Sequence, residues 1–136
     1  VKRLFTVRRS AAEFDTEVDS AKSTLSNREV IFINTTAQGA DSDAYKTATL
    51  DLSQLKAGIT YAFALNVVST INGEQYIQEV SCKLNEVDMG RNGNYYKLSS
   101  TFFGKCQNSD KLYVSAFKNG GSWTGVTIRG IFIPAD

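Results

Sequence analysis

Hydrophobic and polar residues alternate along the second half of the chain with a period of two, and the alternation breaks at glycine or asparagine. That period sends successive side chains to opposite faces of a strand. From Thr60 to Ile133 it predicts strand after strand. The leading pieces are Tyr61–Ile71 and 74–85, joined by Asn72-Gly73. Both residues of that dipeptide tolerate φ > 0, so the pair predicts a two-residue hairpin. A hairpin closed there sets Tyr61 opposite Leu84, Phe63 opposite Cys82 and Leu65 opposite Val80, apolar on apolar. A slip of one residue would lose the match. A second hairpin is expected between 111–118 and 124–133 across Asn119-Gly120-Gly121, with Val114 opposite Val126 and Leu112 opposite Ile128. Pro134 ends the last strand, where a missing N–H does no harm.

The first half is less regular. Residues 4–8 read as a short strand. Ser10-Ala11-Ala12-Glu13 fits a capping box. Ala11, Phe14, Val18, Ala21 and Leu25 then recur at three- and four-residue steps, which is one stripe of a helix. Acids near the start of that segment and Lys22 near its end suit the helix dipole. Residues 29–34 read as a buried strand and 45–52 as an alternating one, with a polar loop between them. The expected fold is mainly β: an antiparallel β-sandwich of about eight strands with one N-terminal helix at about residues 11–25. The 136 residues are one domain's worth. Within it, 1–9 is a basic strand or arm, 10–26 the helix and 29–134 the sandwich. The glycine-rich run Gly90-Arg91-Asn92-Gly93-Asn94 reads as a loop, since it fits neither a phosphate-binding spacing nor a strand–loop–helix unit.

Leu55, Gly58 and Tyr61 stand three residues apart in Leu-Lys-Ala-Gly-Ile-Thr-Tyr. This segment resembles the tyrosine corner of Greek-key sandwiches such as fibronectin type III domains. The resemblance covers about seven residues and implies that Tyr61 tucks its hydroxyl against the backbone upstream.

The net charge of +1 hides a segregation. Residues 1–9 carry +4 through Lys2, Arg3, Arg8 and Arg9, residues 10–88 carry −7, and residues 89–136 carry +4. Such asymmetry suits complementary patches in an assembly or a basic face for nucleic acid. The first residues, Val-Lys-Arg-Leu-Phe, lack the apolar core of a signal peptide. No apolar run is long enough for a membrane-spanning helix. Cys82 and Cys106 are the only cysteines. Pairing 95–106 against 75–85 would put Cys82 near Ser100 and Cys106 near Tyr76, about 20 Å away along the strand. Free thiols are therefore expected, which suits a reducing compartment or a virion protein made in a host cytoplasm.

The chain contains no histidine. Ser-His-Asp and Cys-His catalysis, histidine metal sites and the usual general base near neutral pH are thereby excluded. Two separated cysteines cannot build a structural zinc site. Asp41-Ser42-Asp43 offers alternate carboxylates of the kind that converge on Ca²⁺, without the rest of a loop signature. No cofactor motif occurs, and a non-enzymatic role is expected.

Three such roles fit. The run 112–121 followed by 126–133 resembles in texture the closing strands of bacteriophage tail, baseplate and capsid-decoration proteins. That resemblance implies assembly with protein partners, commonly as homo-oligomers, and saccharide binding through exposed aromatics. Trp123 in its Gly/Ser loop is the leading stacking candidate, with Tyr95 and Tyr113 beside it. Lys2, Arg3, Arg8 and Arg9 are the candidate assembly contacts. A single-stranded nucleic-acid binder is the second role, because Tyr95-Tyr96-Lys97, Phe102-Phe103-Gly104-Lys105, Tyr113 and Phe117-Lys118 interleave aromatics with bases. The third is a carbohydrate-binding or adhesin-type domain, which would be extracellular.

Overall fold

The computed structural model describes residues 4–24, 29–75, 79–93 and 99–135, with side chains except at 4–9, 21–24, 75, 89 and 91–93. In chain order the elements are β1 (Leu4–Arg9), α1 (Ala11–Thr24), β2 (Ile31–Thr36), β3 (Tyr45–Thr49), β4 (Tyr61–Ile71), β5 (Glu74–Gln75), β6 (Glu79–Leu84), β7 (Val87–Gly93), β8 (Ser99–Cys106), β9 (Leu112–Phe117) and β10 (Trp123–Pro134). They form two antiparallel sheets. The larger runs β1-β8-β4-β10-β2, with β5 as a short extension beside β4, and the smaller runs β3-β9-β6-β7. The protein is thus a mainly β sandwich with one helix.

The core lies between the sheets. Tyr61, Phe63, Leu65 and Val67 of β4, Ile128 and Phe132 of β10 and Phe102 of β8 face it from the larger sheet. Val80, Cys82 and Leu84 of β6 and Leu112, Val114 and Ala116 of β9 face it from the smaller one. Every second residue of β6 and β9 is buried, which is the period-two pattern of a half-buried strand. The chain begins its step from one sheet to the other at Ala37 and Gln38. Ala37 N–H donates to the Val126 carbonyl in the larger sheet, while Gln38 exchanges backbone bonds with Thr47 in the smaller.

Two expected hairpins are corrected. Asn72-Gly73 does turn the chain, with φ of 53° and 81°, and Ile71 pairs with Glu74 and Thr70 with Gln75. The pairing stops there. Tyr61 stands opposite Cys106, Phe63 opposite Gly104 and Leu65 opposite Phe102, while β6 belongs to the smaller sheet. Likewise β9 pairs with β3 and β6, and β10 with β4 and β2. The expected partners face one common core from opposite sheets instead of pairing along a ladder. Apolar-on-apolar matching is satisfied equally by lateral pairing and by face-to-face packing, so alternation alone does not separate the two. Residues 90–93 of the glycine-rich run, expected as a loop, are strand as well, and Asn94 lies outside the described residues. A two-residue turn at Asn85 and Glu86, both at positive φ, folds β7 back on β6. A bulge between Cys82 and Lys83 absorbs the extra residue. Strand order also replaces the register on which the cysteine reading rested, because Cys106 pairs with Tyr61 and Cys82 with Val114 and Gly90. The thiols are nonetheless free and buried.

The helix starts at the expected cap, with the Ser10 half of the capping box formed and the Glu13 side chain returning to the Ser10 hydroxyl. Glu13 N–H donates to Ser10 Oγ at 3.1 Å, and Ser10 Oγ donates to Glu13 Oε1 at 3.2 Å. It leads from β1 at one edge of the larger sheet to β2 at the other, across the sheet's outer face. Phe14, only 1% exposed, is the anchor. Arg129 of β10 lies over its ring, 5.3 Å from the centroid, and pairs with Asp15. Burying one such ring contributes about 1.5–3 kcal/mol. Leu25, expected to close the stripe, lies outside the described residues.

Candidate functional site

With α1 on the larger sheet, no described element covers the outer face of the smaller sheet. Its register sets outward side chains in three rows. Tyr45, Phe117 and Glu79 make the first, Thr47, Ser115 and Ser81 the second, and Thr49, Tyr113 and Lys83 the third. Across β3, β9 and β6, two aromatic-bearing rows therefore flank a row of hydroxyls. Seen together, these side chains other than Thr49 line a shallow groove of about 420 Å³. Tyr45 is 55% exposed, and its ring meets that of Phe117 at 5.0 Å between centroids, tilted by 46°. Phe117 and Tyr113 are four residues apart on one strand, or about 13 Å. Rings standing on a pleated surface offer flat apolar faces, and the hydroxyls between them both donate and accept hydrogen bonds. That pairing is suited to non-covalent recognition of a ligand that has flat C–H faces and hydroxyl edges.

The sequence-expected site residues are dispersed. Tyr113 sits in the groove wall. Trp123 does not belong to any surface platform, which corrects its assignment as the stacking residue. It opens β10 inside the core, 1% exposed, with its indole N–H donated to the Asp43 carbonyl at 2.7 Å and its backbone N–H to the Asp41 carbonyl at 2.9 Å. Lys118 Nζ lies 5.9 Å from the same ring centroid and donates to the Ser42 carbonyl at 3.3 Å. An aromatic in a glycine and serine loop looks exposed in sequence, but here the loop 119–122 ends where the core begins. Tyr95, Lys2 and Arg3 lie outside the described residues. Arg8 and Arg9 lie on β1, opposite Ser100 and Ser99. Tyr45 escaped the sequence reading, although one signal was present. In 112–117 the aromatics Tyr113 and Phe117 occupy the polar phase of the alternation, so their strand has a decorated outer face.

Other chemistry is engaged in structure. Asp41 pairs with Lys46 at 2.9 Å, and Asp43 Oδ2 accepts the Ala40 N–H at 2.9 Å, so this acid pair stitches its own loop. Burial pushes the Cys82 thiol up to about 12, with the Asp88 charge and Cys106 adding to it. A thiol held protonated is a poor nucleophile. The tyrosine corner forms as its resemblance implied, with the Lys56 N–H donating to Tyr61 Oη at 2.9 Å. Asn108 Nδ2 braces the same turn through the Leu52 and Leu55 carbonyls at 3.3 and 2.9 Å. A second cavity, of about 410 Å³, separates α1 from the larger sheet, with Phe14, Asp15, Asp19, Asn34 and Arg129 among its walls. Among the described residues no helix is long and apolar enough to cross a membrane.

Neither a family model nor a curated protein matches this chain. Among solved structures, it is similar to a chain from the disulfide-linked pili of Bacillus endospore appendages, with a TM-score of 0.38, 10% identity and coverage of 100% of this chain and 92% of that one. A family 35 carbohydrate binding module from Clostridium thermocellum gives a TM-score of 0.35 at 15% identity, covering 79% of this chain and 98% of that one. The PA14 domain of the MpAFP antifreeze protein gives 0.36 at 11% identity, covering 93% and 79% respectively.

Proposed function

We propose that this protein is a non-enzymatic binding module that holds a saccharide on the open face of its smaller sheet. The observation that carries the reading is the row of hydroxyls between Tyr45, Phe117 and Tyr113. Sugar rings present C–H faces to aromatic rings and hydroxyls to polar side chains, so one surface serves both. The nucleic-acid alternative has less support. Phe102 is core and Lys118 is buried, and among the described lining residues of the groove one base, Lys83, is matched by one acid, Glu79. A backbone-tracking groove needs an excess of positive charge.

The setting we propose is a surface assembly, first a phage virion part of tail, baseplate or capsid-decoration type, produced in a host cytoplasm. Its support is the segregated charge of the sequence, with Arg8 and Arg9 on the edge strand β1. Binding and setting are tested separately. Titration of Tyr113→Ala against a polysaccharide that the parent protein binds should show a loss of affinity at an unchanged melting temperature. Equal loss of both would make Tyr113 a packing residue and remove the groove from the reading. Light scattering on the eluting protein should give a discrete oligomer for a self-assembling tail part. A monomer that also fails to bind capsids or tails would exclude the virion setting.

A further inference from the structure

We infer that Lys118 is a positioning residue of the groove: its ammonium ties the loop ahead of β3 to the chain leaving β9, and so sets the Tyr45–Phe117 ring pair. What the groove holds rests on the saccharide reading above; the placement of the rings does not. Phe117 closes β9 and Tyr45 opens β3, so each ring is next in the chain to a residue of the tie. The Lys118 N–H donates to the Ala44 carbonyl at 2.9 Å, and its Nζ donates to the Ser42 carbonyl at 3.3 Å. The carbonyls on either side of Ser42 are held by Trp123, through its backbone N–H to Asp41 and its indole N–H to Asp43. The successive carbonyls of Asp41, Ser42 and Asp43 are thus fixed by Trp123 and Lys118 together.

Tyr45 is where the tie is felt. It is 55% exposed, so packing guides its ring little and the backbone at 44–45 decides where the ring stands. Without the ammonium the Ser42 carbonyl turns to water, and the peptide planes leading to Tyr45 turn with it. The ring then leaves its tilted contact with Phe117, which flanks the hydroxyl row. Stability is a poor reason for the lysine. The residue is only 4% exposed, and burying an ammonium costs free energy that one carbonyl and the face of Trp123 offset in part. An apolar side chain of similar length fills such a space without that cost. A charge kept where a methionine would pack as well serves geometry.

The test compares the parent protein with Lys118→Met and Lys118→Arg. It reads the nuclear Overhauser effect between the Tyr45 and Phe117 rings, the thermal midpoint, and calorimetric titration with soluble xylan, mixed-linkage β-glucan, amylose and linear galactan. In Lys118→Met the ring-to-ring effect should weaken while the midpoint holds or rises. Affinity for the polymer that the parent binds should fall about threefold to tenfold, the scale of a misplaced stacking contact. Lys118→Arg, which keeps the charge, should restore the ring contact and most of the affinity. Lys118→Gln, neutral and shorter, takes the place of the methionine variant if that one fails to fold, with the same readings. An unchanged ring contact in the neutral variant would overturn the inference, as would a displaced ring pair with parental affinity. Midpoint and affinity falling together would make Lys118 a structural residue and overturn it too. Silence of the parent toward every polysaccharide would overturn the saccharide reading instead, and the ring contact would still decide whether Lys118 positions the pair.

Discussion

Tyr61 turns its hydroxyl back onto the chain five residues upstream, where it accepts the Lys56 N–H. Tyr61→Phe keeps the ring in the core and removes the acceptor. Leaving that donor unpaired should cost about 1–3 kcal/mol, read as a lower urea midpoint with an unchanged slope. Saccharide affinity should not move, since the corner and the groove share no residue. Trp123 behaves differently from an exposed stacking residue at this scale. It is among the largest fully buried side chains, so Trp123→Ala should lower stability by about 3–5 kcal/mol, measured by chemical denaturation. A variant that lost binding while holding its midpoint would contradict the buried placement. Sequence marked both residues as aromatic punctuation beside glycines. Only the tyrosine's spacing encodes its bond, because a corner is a local motif, whereas Trp123 is buried by a loop some eighty residues away in the chain.

At the scale of elements, the helix and the turns were readable because their determinants are local. Ser10 Oγ accepts the Glu13 N–H in the first turn and donates to Glu13 Oε1, so Ser10→Ala should cost about 1 kcal/mol of stability, seen as a lower thermal midpoint. Asn72-Gly73 made its turn at the expected pair. Gly121 marks a tighter constraint. It sits at φ 75°, and a Cβ there would come within 2.6 Å of Ile71 Cγ2, so Gly121→Ala should destabilise by at least the strain of a positive φ, about 1 kcal/mol. Denaturation of that variant beside Gly120→Ala, which meets open space at φ 102°, would separate crowding from backbone strain. The strand partners were not readable in the same way. β4 and β6 satisfy the same pattern whether they pair laterally or pack face to face.

The whole molecule makes its buried thiols a report on the sandwich. Cys82 and Cys106 face the core from different sheets, so a reagent reaches them when the layers part. Burial holds the Cys82 thiol protonated up to about 12, above its unfolded value of about 8.5. A raised folded-state pKa contributes stability that is complete below the unfolded value and lost as pH climbs toward the folded one. Unfolding free energy should therefore fall between about pH 8.5 and 12, and Cys82→Ala should flatten that part of the profile. At neutral pH, thiol labelling should follow global opening rates; fast labelling of the folded protein would contradict the core placement.

What the sequence determined by itself was the set of elements with local causes. Alternation at period two made strands, the Ser10–Glu13 box and its stripe made the helix, and the Leu55–Gly58–Tyr61 spacing made the corner. The absence of histidine by itself narrows the chemistry open to the protein. Tertiary structure decided which strands are neighbours, and with that it decided the site. Tyr45 and Tyr113 are 68 positions apart, and they share a groove only because β3 and β6 flank β9. That order is fixed by which sheet best buries each inner face and closes the edges. Its cost is paid in long-range contacts that no window of sequence contains.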